Sequence, residues 1–423
     1  MILVCISLEA LMNPSKKTLI SLLIVISMLL SGCTADSQVE ENNDDINDNI
    51  PLQDCELDNS CFEPEVIYGC IDKNANNFDS SATDDDESCT YDVAWQSEYG
   101  ATWEQHEGGE ECECSDGSNF SFWSRNADPT KVVLYFQGGG ACWDSYSCQT
   151  EGGTYKTNTG EWDNPTSLST NLSDTGGIFN FYNQDNPLAD WSFVFVPYCT
   201  GDLHLGDMLG EYSDNDLNHS GHTNAQTAYS HVLENFPNTD RMLVTGSSAG
   251  SIPTSFYAAL VSEDYPDAEV SAFIDASGGL LSNETYDFYD IWGLNDTLPD
   301  FPIQPLDFNN MTSATLVINA WMNHNNITFA RFDNAYDNTM RYFNALLDND
   351  PLMDYHQQIL YSESLIDDAN IPISTYLAPG DGHTILGGGA FYTENVEDVA
   401  FVDWFTAFIN GDNPDDVHCT NCN

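Results

Sequence analysis

The sequence predicts an α/β fold in which helices flank a mostly parallel sheet, preceded by a small N-terminal module that carries disulfides. Three observations predict it. Short apolar runs alternate with helical patterns over 93–423, which is typical of a parallel sheet wrapped by helices. The chain has 423 residues, 41% of them hydrophobic, and can therefore bury a large core. The chain combines an export signal with 13 cysteines, which indicates a disulfide framework. Cys5 lies in the leader and Cys33 at its end, so eleven cysteines remain.

Residues 1–33 predict a signal peptide that ends at a lipidation site. Two lysines precede an apolar run over 18–30, which suits export but is short for a membrane span. The small residues before Cys33 are similar to the lipobox of prokaryotic lipoproteins, in which the cysteine is acylated after cleavage. We therefore expect an exported cell-surface lipoprotein, on the extracellular or periplasmic face, that touches the membrane only through its lipid. A plain signal peptide with a nearby cysteine is the alternative.

Two short regions separate this leader from the main domain. Residues 34–54 are rich in Asp, Asn, Glu and Ser, and we expect an acidic disordered tether. Residues 55–91 form a small Cys/Asp-rich module in which Cys70 and Cys89 are the natural disulfide pair. We interpret this module as a structural spacer. A calcium site among its carboxylates is the alternative, although they lack the alternation of an EF-hand loop.

The main domain, 93–423, is the predicted catalytic domain. Within it the apolar and helical patterns predict both element types in turn. Strands are expected at 132–136, 193–197, 242–245, 268–274, 315–318, 327–330 and 374–377. Helices are expected at 225–235, from Ala249 onward, at 334–347 and at 396–409.

The charge balance excludes one large class of partners. The chain has 68 acidic and 9 basic residues, for a formal net charge of -59. Such a surface repels phosphate backbones and anionic lipid headgroups, so we expect no nucleic-acid binding. The acidic residues are spread over the whole chain, which favours adaptation to a salty environment, where screening weakens the self-repulsion. Weak calcium binding at many carboxylates is the alternative.

The segment 242–251 carries the sharpest catalytic signal. An apolar strand runs into Gly246-Ser247-Ser248-Ala249-Gly250, and small residues follow as a helix would begin. In such a strand-to-helix turn the flanking glycines relieve crowding, and the central serine hydroxyl stands exposed above the sheet. We therefore predict Ser248 as a nucleophile. An ordinary tight turn is the alternative.

A serine nucleophile needs a base and an acid that orients it. His383 follows the predicted strand 374–377 in a glycine-rich loop, which fits the chain order Ser, Asp, His of α/β-hydrolases. The acid must then lie between the two. Asp275, Asp333 and Asp337 are the candidates, and the position expected for this fold favours the later two.

Charge that develops on the substrate oxygen requires backbone N–H donors. One donor is expected from Ala249, directly after the nucleophile. The other is expected from the glycine-rich loop 138–140, because glycines let the backbone approach a substrate. A disulfide between Cys142 and Cys148 would pin this loop.

Six stretches together resemble the pectin acetylesterase and Notum family of carboxylesterases, which have the α/β-hydrolase fold. The stretches are 114–118, 135–143, 198–204, 246–250, 335–337 and 382–383.

The resemblance implies a role for each matching residue. It implies Ser248 as nucleophile, His383 as base and Asp337, rather than Asp333, as the orienting acid. The same resemblance implies oxyanion donors at Gly139, Gly140 and Ala249, a bridge between Cys114 and Cys199, and no cofactor or metal.

The resemblance also implies a serine carboxylesterase that removes O-acetyl groups from a polysaccharide. One alternative is a Notum-like esterase for longer acyl chains, which would need a deep apolar pocket. The other is a non-catalytic surface protein that binds carbohydrate or calcium on a hydrolase fold.

Overall fold

One nine-stranded sheet organises the main domain. In this computed structural model the described residues are 66–71, 77–85, 88, 101–149, 152–160, 165, 176–212, 215–280, 286–298, 307, 309, 311–347 and 354–422. The strands are β1 (Tyr68–Gly69), β2 (Asp84–Asp85), β3 (Trp103–Glu107), β4 (Ser121–Arg125), β5 (Asp128–Phe136), β6 (Trp191–Val196), β7 (Met208–Tyr212), β8 (Asn215–His219), β9 (Arg241–Ser247), β10 (Glu269–Asp275), β11 (Thr328–Asn334), β12 (Ile373–Ala378), β13 (Asn395–Val396), β14 (Val399–Ala400) and β15 (Val417–His418).

Along the chain, most helices connect one strand of the parallel sheet to the next. They are α1 (Gly221–Asn235), α2 (Thr254–Asp264), α3 (Phe288–Trp292), α4 (Leu294–Thr297), α5 (Ser313–Asn323), α6 (Asn338–Leu346), α7 (Tyr355–Asp368), α8 (Ala390–Thr393) and α9 (Phe401–Ile409). Two single 3₁₀ turns, Gly177–Phe179 and Ser248–Gly250, complete the described helical structure.

The sheet is parallel except at one edge. Its strand order is β15-β12-β11-β10-β9-β5-β6-β4-β3. The strands from β15 to β6 are parallel, whereas β4 is antiparallel to both β6 and β3. This arrangement confirms the predicted mostly parallel sheet. It also brings the carboxyl ends of β9, β10, β11 and β12 to one edge, where ligands bind in open α/β sheets.

Both faces of the central strands are buried. On β5, Val132, Leu134 and Phe136 belong to one core, while Val133 and Tyr135 belong to the other. Helices α1, α2, α5 and α7 contribute to the first core and α9 to the second. Because successive side chains of a strand point to opposite faces, a strand covered on both sides appears in the sequence as a continuous apolar run.

Six predicted strands are confirmed, but the strand predicted at 315–318 is wrong, because this segment lies inside α5. The β-branched run there suggested a strand. Thr312 and Thr315 instead form a capping box, with Thr315 N donating to Thr312 Oγ1 at 3.1 Å and Thr312 N donating to Thr315 Oγ1 at 2.8 Å. The buried positions Ala314, Val317 and Ala320 recur at helical spacing.

The predicted helix boundaries shift where a turn precedes the helix. The helix expected from Ala249 begins only at Thr254, after the 3₁₀ turn. The helix expected from residue 334 begins at Asn338, because β11 continues to Asn334. The last helix begins at Phe401, since 395–400 form a two-stranded hairpin.

Some elements had no sequence prediction. They include α7, the β7–β8 hairpin and the strands β3 and β4. Helix α7 begins after Asp354, whose side chain accepts from Gln357 N at 2.8 Å, which is a standard N-cap. β3 lies at the edge of the sheet and has no buried residue, and β4 mixes buried and partly buried residues, so neither strand is a continuous apolar run.

Three disulfides are present among the described residues: Cys114–Cys199, Cys142–Cys148 and Cys419–Cys422. The first two match sequence expectations. Cys112 is a buried free thiol, which fits the odd number of cysteines left after Cys5 and Cys33. Cys70 is disulfide-bonded, whereas Cys89 lies outside the described residues, as do residues 1–54 with Cys33.

Two arginines are buried in the domain. Arg125 donates to the carbonyl oxygens of Trp191 and Ala189, at 2.8 and 3.1 Å. Arg331 forms ion pairs with Asp333 and Glu363 at 2.8 and 2.9 Å. Within the described ranges, no helix combines the length and the apolar character that crossing a membrane requires.

Candidate active site

Ser248 occupies a strained turn directly after β9. Its φ is 56°, in the left-handed region that costs a non-glycine residue about 1–3 kcal/mol. A Cβ on Gly246 would lie 2.2 Å from Gly250 O, and a Cβ on Gly250 would lie 2.1 Å from Phe136 O. Both glycines are therefore required by contact, and the sequence motif follows from the geometry of the turn.

His383 is held by Asp337. The His383 Nδ1 lies 2.6 Å from Asp337 Oδ2, and the Asp337 side chain is almost fully buried. The other oxygen, Oδ1, accepts from the backbone N–H of Thr339 at 2.8 Å and of Met340 at 3.0 Å, and so caps α6. One carboxylate thus fixes both the histidine ring and the start of a helix.

The other two candidate acids have different partners. Asp333 pairs with Arg331 and accepts from Gly278 N at 2.7 Å. Asp275 accepts from the Ser247 hydroxyl at 2.6 Å and from two backbone amides. Burial raises the pKa of Asp333 to about 7 and that of Asp275 to about 6. Neither carboxylate hydrogen-bonds His383, so Asp337 is the one of the three that does.

The free nitrogen of His383 faces the protein interior. Its Nε2 is buried and has no hydrogen-bond partner among the described residues. The Ser248 hydroxyl is therefore not hydrogen-bonded to it in this structure. Catalytic hydrogen bonds are often long in the absence of substrate and tighten when it binds.

The glycine-rich loop lies against the Ser248 turn. A Cβ on Gly138 would lie 2.8 Å from Ser248 Cβ. Gly140 has φ +79°, and a Cβ there would lie 1.9 Å from Thr154 O. The loop is pinned from outside, because Lys156 N donates to Gly139 O at 2.9 Å and the Cys142–Cys148 disulfide follows it directly. Gly140 and the buried Ala249 line the same pocket as Ser248, whereas a Cβ on Gly139 would meet Tyr198 and Lys156.

An apolar pocket opens beside Ser248. Its empty volume is about 540 Å³, including the open mouth. The lining residues other than Ser248 are nonpolar throughout: Gly140, Ala141, Trp143, Leu203, Ala249, Ile252, Leu280, Phe288, Trp292, Met311, Met340, Phe343 and Leu347.

Sequence reasoning did not find most of this pocket. Its walls come from the turn before α2, from α3 and α6 and from the segment before α5, which only the fold brings together. One sequence signal could have indicated it: the segment 286–292 is rich in aromatic residues, which is unusual for a segment exposed to solvent. Trp292 is 1% exposed, and its Nε1 donates to Cys142 O at 2.9 Å.

Comparisons with known proteins agree on one family. The pectinacetylesterase family model matches residues 98–292, a stretch that contains Ser248 and the glycine-rich loop but neither Asp337 nor His383. The palmitoleoyl-protein carboxylesterase NOTUM of Schmidtea mediterranea is 28% identical over 147 residues. That match covers 33% of this chain and 26% of the relative, so the chain spans about a quarter of that relative's length.

A solved structure shows the same fold. The Wnt deacylase Notum from Drosophila superposes with a TM-score of 0.50 at 18% identity. The superposition covers 73% of this chain and 93% of that chain.

Proposed function

We propose that this chain is a serine carboxylesterase of the pectin acetylesterase and Notum family, to which it is similar in sequence over 98–292 and in fold. The observation that carries the proposal is the strained Ser248 turn at the same sheet edge as the His383–Asp337 pair. A positive φ at a non-glycine residue is costly, and such strain is retained where it serves a function.

The reaction is acyl transfer to water. The Ser248 Oγ attacks the ester carbonyl while His383 Nε2 takes its proton. The oxyanion accepts from the N–H groups of Ala249, Gly139 and Gly140. His383 then protonates the leaving alcohol. A water attacks the acyl-enzyme by the same route, which releases the acid and restores Ser248.

Asp337 acts through the imidazole. Its carboxylate accepts the Nδ1–H, which leaves Nε2 without a proton and ready to act as base. It also stabilises the imidazolium that forms during attack. For this proton transfer the Ser248 hydroxyl must come within hydrogen-bond distance of Nε2, and the two are not hydrogen-bonded in this structure.

A fluorophosphonate probe tests the assignment. It should label the wild type and fail to label Ser248→Ala, with His383→Ala labelled far more slowly. Ser364→Ala is the matched control, because Ser364 lies exposed on α7, and it should label like the wild type. Equal labelling of wild type and Ser248→Ala would refute the nucleophile.

The acyl group has two candidates. Family resemblance favours an O-acetyl group on a polysaccharide. The apolar lining of the pocket favours a longer chain, because an acetyl methyl would contact only the side chains next to Ser248. Each buried methylene contributes about 0.8 kcal/mol. If the pocket holds an octanoyl chain, kcat/KM for p-nitrophenyl octanoate should exceed that for the acetate by at least about 100-fold.

A pocket-filling variant separates the two candidates further. Ile252→Trp narrows the apolar pocket. It should abolish octanoate turnover and leave acetate turnover within a few fold. If the wild type prefers acetate and the variant changes neither rate, acetyl ester hydrolysis on carbohydrate is the better assignment. A chain that hydrolyses neither ester and takes up no probe would instead be a binding protein on a hydrolase fold.

The domain organisation and cell location are proposed from the sequence. We propose a cleaved leader (1–33), a tether (34–54), a spacer module (55–91) and a catalytic domain (93–423), with a lipid on Cys33 that holds the enzyme at the cell surface. Metabolic labelling with an alkyne fatty acid should mark the expressed chain and not Cys33→Ala. Loss of labelling with retained export in that variant is the expected result, and label on both would refute the site.

A further inference from the structure

One buried carboxylate outside the proposed catalytic residues joins the two halves of the active site. Asp275, the last residue of β10, is 0% exposed. Its Oδ2 accepts from the Ser247 hydroxyl at 2.6 Å, and Ser247 immediately precedes the nucleophile. On the other side Ile385 N donates to its Oδ1 at 3.0 Å, and Leu386 N donates to its Oδ2 at 3.1 Å. These amides come two and three residues after His383.

The contacts of Asp275 lie in a dry environment. Ser247 is 7% exposed, Ile385 1% and Leu386 0%. Ser247 Oγ also accepts a hydrogen bond from the Tyr135 hydroxyl, at 3.0 Å, so that its own proton is directed to the carboxylate. Hydrogen bonds to a charged acceptor are about twice as strong as neutral ones, and a low-dielectric interior strengthens them further.

The loop that carries His383 needs such an anchor. It is rich in glycine, at Gly380, Gly382 and 387–389, and glycine loses the most conformational entropy on ordering. Upstream, Gly380 N donates to Cys422 O at 2.9 Å. Downstream of the histidine, the two amides bound to Asp275 fix the loop against the end of β9.

Asp333 shows what a buried carboxylate with a different task looks like. It lies on the neighbouring strand β11 and also accepts a backbone N–H, from Gly278. Its second partner is the guanidinium of Arg331, and it makes no contact with the histidine loop. Burial raises the pKa of Asp275 to about 6, and its three hydrogen bonds oppose that rise.

We propose that Asp275 is a positioning residue, which sets the distance between the Ser248 turn and the His383 imidazole so that Oγ and Nε2 meet during the reaction. The proposal rests on the serine hydrolase function proposed above. It predicts that loss of the carboxylate slows attack by Ser248 without weakening substrate binding, because Asp275 does not line the apolar pocket.

Asp275→Asn tests the proposal. The amide keeps the size of the side chain but replaces one acceptor oxygen with an N–H₂ group, which repels at least one of the three donors. We expect kcat to fall by about 30-fold or more with KM within about twofold. The rate of fluorophosphonate labelling should fall in parallel. Asp333→Asn is the matched control and should lower Tm while leaving kcat within about threefold.

Two further outcomes keep the proposal open to refutation. If Asp275→Asn does not fold, Ser247→Ala removes the hydroxyl link to Asp275 and the acceptor of the Tyr135 hydroxyl, and labelling of that variant should slow by about three- to tenfold. Wild-type labelling rates in the folded variants would overturn the positioning role and leave the hydrolase function standing. Absence of labelling in the wild type itself would overturn the hydrolase function instead.

Discussion

Asp337→Asn separates catalysis from stability at a single side chain. One carboxylate oxygen accepts a hydrogen bond from Nδ1–H of His383, and the other accepts from the backbone N–H groups of Thr339 and Met340. Asparagine caps helices as well as aspartate does, so the oxygen that caps α6 is retained. The new N–H₂ group, however, faces Nδ1 and favours the tautomer that carries its proton on Nε2. A base in that tautomer cannot accept the serine proton, and the loss in kcat should be about 10⁴-fold.

Asp337→Ala removes both functions. The lost cap costs about 1 kcal/mol, which lowers Tm by about 2 °C in a domain of this size. We therefore expect Asp337→Asn to keep the wild-type Tm and Asp337→Ala to melt about 2 °C lower. Both variants should lose activity to the same extent. The assay pairs p-nitrophenyl ester turnover with a thermal melt. Activity of Asp337→Asn within tenfold of wild type would refute the reasoning and return Asp333 as a candidate.

Three further predictions concern stability. Gly250→Ala places a Cβ 2.1 Å from a β5 carbonyl oxygen and should cost at least about 3 kcal/mol, measured by urea unfolding; a cost below 1 kcal/mol would contradict the turn. Replacing Cys114 and Cys199 by serine removes a disulfide between positions 85 residues apart and should lower the free energy of unfolding by about 3 kcal/mol. As the control, the variant and the wild type should unfold alike under reducing conditions. The pKa of His418 is raised by its hydrogen bond to Glu363. Protonated His418 therefore stabilises the folded state fully below about pH 6.5, and this stabilisation is lost as pH rises through the pKa of the folded state. His418→Gln should lower Tm more at pH 5.5 than at pH 8.5. An equal loss of Tm at both pH values would contradict the pairing with Glu363.

The elements that could be predicted are those whose burial shows as apolar residues at neighbouring positions in the sequence. Strands β5, β6, β9 and β10 are covered on both faces, and each contains a short, mostly apolar run. The segment 315–318 shows where this reasoning fails. A short β-branched run fits a buried strand and one turn of a buried helix equally well, and the Thr312–Thr315 capping box that decides between them involves hydroxyls with no apolar signal.

The candidate site divides in the same way. The Ser248 turn was predictable because crowding requires glycine at both Gly246 and Gly250, and the two positions form one short motif around Ser248. Among the candidate acids, position along the chain left Asp333 and Asp337 open, because both come shortly after the predicted strand 327–330 and only the tertiary contacts distinguish them. The contacts of Asp275 with residues 385 and 386 lie more than a hundred positions apart and left no sequence signal.

The scarcity of basic residues has a practical consequence for peptide mapping. Trypsin cleaves after Lys and Arg, of which the whole chain has 9. Arg125 and Arg331 are each 1% exposed, and Arg341, which is exposed, lies inside α6. Native digestion should therefore leave the domain nearly intact, and even the unfolded chain would yield a few very long fragments. Identification of this protein by mass spectrometry calls for an enzyme that cleaves at Asp or Glu.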